Sequence, residues 1–158
     1  MMTSNDTKMS LERFIKGHNL DYETALKEIR SGHKQSHWIW YVFPQIHGLG
    51  MSLTSKMYAI QSAEEAKEYM SNELLRDHML EICQALLDLD ENNPTEVMGY
   101  PDDLKLRSSM TLFSEATPEY DIFKKVLDKY YHGEKDPRTV EILEKEKIIR
   151  HSKLSFSS

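Results

Sequence analysis

The chain has 158 residues, 39% of them hydrophobic and 29% charged, which suits one domain with a packed core and excludes wholesale disorder. A formal net charge of -6 argues against a nucleic-acid or anionic-membrane surface, because phosphate contacts need clustered Lys and Arg. The lone Cys83 excludes an internal disulfide and fits a reducing, cytoplasmic compartment.

Residues 10–150 form the expected domain, and the small polar residues of 1–9 and 151–158 are expected to fray. The first ten residues lack an apolar h-region, so no secretion signal is expected. Ser10 is placed to cap a first helix carrying Leu11, Phe14 and Ile15. Tyr22, Leu26 and Ile29 recur at helical spacing, and Gly32 stands where a helix ends. Ser36 is placed to cap the short apolar run His37–Phe43, which reads as a helix or a buried strand. Pro44 stops it by disfavouring the α conformation at Phe43, and Ile46–Gly50 reads as a loop. That run is far short of the ~20 apolar residues a membrane span needs.

Ser62-Ala63-Glu64-Glu65 is a capping box. Asn72 opens the longest helix, about 73–90, with Leu75, Met79, Ile82, Leu86 and Leu89 as its core face. Cys83 falls inside this pattern as a small core residue. Asn93-Pro94, Thr117-Pro118 and Asp136-Pro137 each read as a cap followed by proline at the first helical position, with Gly99 and Gly133 as stops. Strand signals are weak elsewhere. The expected class is all-α, an irregular bundle of about seven or eight short helices in a single domain.

Two stretches carry more polarity or aromaticity than packing requires. In the first, Ser36, His37, Trp38, Trp40 and Gln45 precede the Gly48-Leu49-Gly50 backbone. Aromatic side chains there are core anchors or a wall on which a planar ligand stacks. His33 and His37 are four apart, but Gly32 and Ser36 put a helix boundary between them and no HExxH pattern is present, so no metal site is expected. In the second stretch, Lys105 and Arg107 supply charge while Ser108, Ser109 and Thr111 supply hydroxyl donors, a combination that suits a phosphate or carboxylate. The alternative is hydroxyls bonded one helical turn back and a solvated Lys105. Asp102 and Asp103 stand at the helix start, where they complement the macrodipole. No GxSxG elbow accompanies the serines, and the SxxK order is reversed, so no nucleophile or reaction is assigned and no cofactor is named.

Gly32–Gly50 and Pro101–Phe113, with Tyr58-Ala59-Ile60 and Gly133–Thr139, closely resemble the bacterial domain-of-unknown-function family numbered 1810. The resemblance runs over about residues 10–144 and implies a mainly helical fold without implying an activity. From the residues themselves, the expected role is binding of a small anionic or nucleotide-like ligand between the two stretches. The alternative is an adaptor domain without catalysis, for which nine methionines would provide an adaptable surface.

Overall fold

The computed structural model describes residues 4–157 and, within them, the side chains of residues 11–152. Among these residues nine helices follow one another without a strand; the β-type pairing is an isolated bridge between Ile46 and Ile60. The first helix, α1 (Ser4–Arg30), runs unbroken for 27 residues, so Ser10 lies inside it instead of capping it. The apolar groups Leu11–Phe14 and Tyr22–Ile29 are therefore one continuous stripe on the core. The ends expected to fray, 1–9 and 151–158, fall partly outside the described residues.

The run after Gly32 settles as one helical turn, α2 (Ile39–Val42), stopped before Pro44. Trp38, not Ser36, occupies its cap position and makes no side-chain cap bond. The element that sequence periodicity misses is α3 (Leu53–Tyr58). None of its side chains is buried, so no apolar period marks it, and Ser52 accepting from Ser55 N at 3.1 Å starts it.

The predicted caps of α4 (Ala63–Ser71) and α5 (Glu73–Asp88) form: Ser62 accepts from Glu65 N and Asn72 from Leu75 N, each at 3.1 Å. Glu65 departs from the capping-box pattern. Its carboxylate accepts from Gln61 N at 3.1 Å, one residue ahead of the cap, and from Arg13 Nη2 at 2.9 Å. Of the expected α5 face, Leu75, Met79, Ile82 and Leu86 are buried and Leu89 is partly so. Cys83 is buried with them, its Sγ 3.8 Å from Met110 Sδ, and burial pushes its thiol pKa up.

Asn93 caps α6 (Pro94–Met98), which Gly99 ends with a φ of 76°. Next comes α7 (Asp102–Ala116). The Thr117-Pro118 pair does not open a helix. Thr117 Oγ1 turns back to donate to Phe113 O at 2.7 Å and its carbonyl accepts from Tyr120 N, so a turn intervenes before α8 (Ile122–Tyr131). Asp136 caps α9 (Pro137–Ser157), accepting from Thr139 N at 3.1 Å. Helix α1 packs on α2 and α5, and α7 packs on α4 and α8, around Phe14, Trp38, Tyr69, Phe113 and Phe123. No helix of the described residues is long and apolar enough to cross a membrane.

The α1–α2 contact is fixed by a glycine. Gly17 sits in mid-helix, where glycine is about 1 kcal/mol worse than alanine. The Tyr41 ring fills the space a side chain would need: a Cβ at position 17 would stand 2.3 Å from Tyr41 Cγ. One residue on, His18 is 2% exposed. Its Nε2 lies 2.9 Å from Tyr41 O and 2.8 Å from the Tyr69 hydroxyl, which itself donates to Tyr41 O. With Tyr69 donating to that carbonyl, Nε2 carries the His18 proton, and Nδ1 accepts from His78 Nδ1 at 3.0 Å. His78 in turn stacks on Tyr22 with ring centroids 3.6 Å apart. Burial above all, aided by His78, lowers the His18 pKa to about 4 despite the opposing Tyr41 carbonyl.

Two expectations follow from this corner. Gly17→Ala should destabilise by about 2 kcal/mol in thermal or denaturant unfolding, because overpacking against Tyr41 outweighs the gain in helix propensity. His18 binds its proton more weakly folded than unfolded, so its contribution is present above its ordinary pKa of 6.5 and is lost as pH falls toward about 4. That loss amounts to about 3 kcal/mol. A His18 ring-proton NMR titration with its midpoint near 6.5 would contradict it.

Candidate functional site

The segment leading from α1 to α2 is organised by Glu28. Its carboxylate accepts from Gln35 N at 2.7 Å, Ser36 N at 2.9 Å, Ser36 Oγ at 2.5 Å and Trp38 Nε1 at 2.9 Å. Burial alone would raise the Glu28 pKa, but these donors outweigh it and hold the pKa at about 2. Ser36 and Trp38 thus serve the fold. Trp38 is fully buried, its indole N–H satisfied by Glu28. Trp40, two residues on, remains half-buried and faces elsewhere.

Lys34 ties this segment to the start of α7. Its side chain is 4% exposed and its Nζ lies 2.7 Å from Asp102 Oδ2. The other oxygen of Asp102 pairs with Lys105 Nζ at 3.2 Å. Asp102 is therefore more than a macrodipole charge: it links the two stretches that the sequence separates. Asp103, buried, accepts from Thr95 Oγ1 at 2.7 Å, so it too has a structural partner.

Between the stretches lies a cleft of about 620 Å³, within the range of ligand-sized cavities. One wall is the loop from Gln45 through α3, closed at its base by His47 N donating to Ile60 O (2.9 Å) and Ile60 N to Gln45 O (2.8 Å). Gly50 fits because no side chain is there; a Cβ would stand 2.6 Å from Ser55 Cβ. The opposite wall is α7 with the start of α9, through Lys105, Ser108, Asp136 and Arg138. Trp40 lines the cleft, and Lys105 Nζ sits 4.1 Å from its ring centroid, so one face of the indole already carries a cation.

The ten expected site residues divide by geometry. Trp40, Gln45, Lys105 and Ser108 line the cleft. Ser36 and Trp38 are held by Glu28, and His37 is exposed outside the lining. His33 does not join it; its Nδ1 lies 3.1 Å from Glu96 O. Arg107 turns to the loop before α9, donating to Glu134 O (2.9 Å) and Lys135 O (2.8 Å). Thr111 points the same way, donating to Arg107 O and accepting from Asp136 N at 2.9 Å. Ser109 is fully buried. Arg107 and Thr111, four apart, share one face and Lys105 and Ser108, three apart, share another, while Ser109, although four residues from Lys105, lies with Leu106, Met110 and Phe113 on the buried side.

Sequence reasoning missed Lys56, Gln61, Asp136 and Arg138 as lining residues. Asp136 was legible as a helix cap, and both Asp136 and Arg138 stood in the Gly133–Thr139 stretch of the family resemblance, without pointing to a cleft. Lys56 and Gln61 carry no local pattern that could have singled them out.

The family model described as "Protein of unknown function (DUF1810)" matches residues 8–143. The chain is also similar to a conserved hypothetical protein from Mycobacterium tuberculosis whose crystal structure is solved, at 42% identity and a TM-score of 0.82, over 84% of this chain and 95% of that one. No curated protein matches.

Ser109 Oγ is sealed in the core with no hydrogen-bond partner among the described residues. An unsatisfied buried hydroxyl costs about 1–3 kcal/mol. Ser109→Ala should therefore leave stability unchanged or raise it by about 1 kcal/mol in denaturant unfolding. A loss above ~1 kcal/mol would show that the hydroxyl has a partner.

Proposed function

Because the chain belongs to the DUF1810 family, proteins of unknown function, we propose its role from its own cleft: a cytoplasmic domain binding a small anionic or nucleotide-like ligand there. The observation that carries this is charge. Lys56, Lys105 and Arg138 line the cleft against a single carboxylate, Asp136, on a chain whose net charge is -6. Field lines concentrate in a concave, low-dielectric site, so a local cationic lining attracts anions that the rest of the surface repels. Lys105 is only half-neutralised, since Asp102 shares its charge with Lys34. Ser108 and Gln45 add neutral polar groups beside it.

A second role, protein interaction without chemistry, is favoured by one observation. Met51 and Leu53 are each 86% exposed and Met57 is 60% exposed on the loop and helix that rim the cleft.

The two separate in a thermal-shift panel of inorganic phosphate, nucleotides, NAD, ADP-ribose and sugar phosphates. A ligand at ~100 times its Kd stabilises by about 2.7 kcal/mol, a rise of a few degrees for a domain of this size. The shift should vanish in Lys105→Ala and persist in His37→Ala, both variants melting normally without ligand. No shift with any anion would sink the cleft proposal and leave the interaction role standing.

A further inference from the structure

Asp136 is anomalous in a cleft whose other charged side chains are Lys56, Lys105 and Arg138, because a carboxylate repels a bound anion. Capping α9 accounts for one of its oxygens. Oδ2 accepts from Thr139 N (3.1 Å) and Thr139 Oγ1 (2.5 Å), and the Ser108 hydroxyl, 3.2 Å away, shares its proton between this oxygen and Leu104 O at 3.1 Å. These donors come from two helices and fix the plane of the carboxyl group. Among the described residues nothing donates to Oδ1, although Asp136 lines the cleft.

An ionised carboxylate only accepts, so whatever meets Oδ1 must be a donor. An ammonium would be repelled by Lys105 and Arg138, and a second anionic group by Asp136 itself. A neutral hydroxyl satisfies both constraints, provided that an anionic group on the same ligand meets the cations.

We propose that the cleft takes a phosphorylated sugar, free or as the ribose phosphate of a nucleotide, with a sugar hydroxyl donating to Asp136 Oδ1 and the phosphate facing Lys105 and Arg138. This rests on the anion-binding role of the cleft. Asp136 acts as a specificity determinant: it weakens binding of bare anions and rewards those that carry a hydroxyl within reach.

The test compares ribose 5-phosphate with methyl phosphate by NMR titration of the full chain, wild type and Asp136→Asn. Asparagine is also a helix cap, so the fold should persist, and Asp136→Ser, another cap former, replaces it if it does not. Wild type should bind ribose 5-phosphate about tenfold more tightly, the equivalent of one charged hydrogen bond. In Asp136→Asn the two affinities should converge to within about twofold, with methyl phosphate binding unchanged or tighter. Equal affinities in wild type, or a preference that survives in the variants, overturns the proposal while leaving anion binding intact. If neither phosphate binds wild type, the cleft's anion-binding role fails and this proposal with it.

Discussion

Glu28 places a negative charge in the last two turns of α1, near the helix end where the macrodipole disfavours one. Donors from Gln35, Ser36 and Trp38 offset this and hold its pKa at about 2. That one carboxylate folds the segment after Gly32 back onto α1 and locks the Trp38 indole into the core. With Trp38 fixed and Pro44 ending the turn, α2 has one register, which presents Tyr41 to Gly17 and Trp40 to the cleft. Lys34, on the same segment, then fixes Asp102 and through it Lys105. The cationic wall of the cleft is thus positioned by a chain of contacts that begins on α1, far along the sequence from α7.

A consequence is that the two tryptophans have separate tasks. Trp38 has a polar handle that Glu28 satisfies, and its ring sits 6.1 Å from Phe43 in the core. Trp40 is a surface on which a cation rests. The Lys105 ammonium over that ring gives up part of its hydration to lie there, so an anion bound as proposed would meet a charge that is already partly stripped of water. The same contact covers one face of the indole. A planar ligand would have to stack elsewhere or displace Lys105, so in the proposed role charge, not stacking, would be the first determinant of binding.

Much of the fold was legible in the sequence because its helix ends are written in side chains. Ser62, Asn72, Asn93 and Asp136 cap as their residue types require, and Gly32 and Gly99 adopt the positive φ that stops demand. Thr117 misled because a threonine hydroxyl can bond back to the preceding helix as well as forward to the next. Ser36 misled because its hydroxyl donates to Glu28, a partner that no local pattern reveals. Helix α3 was invisible for the opposite reason: no side chain in it is fully buried and only Tyr58 packs against the core, so no apolar period marks it.

The site was legible only in part, and the limit is geometric. The polar run from Lys105 to Thr111 reads as one cluster in sequence, yet a helix sends it in three directions: Lys105 and Ser108 to the cleft, Arg107 and Thr111 to the loop before α9, Ser109 to the core. The residues that do not meet the cleft still shape it. Arg107 and Thr111 hold the backbone at 134–136, and that backbone carries Asp136 to the position where Ser108 can bond it. Lys105 and Ser108 line the cleft, while Arg107 and Thr111 hold the one carboxylate that would set its selectivity. A substitution at Arg107 should thus act on Asp136 without touching any ligand, which separates positioning from contact within a single helix.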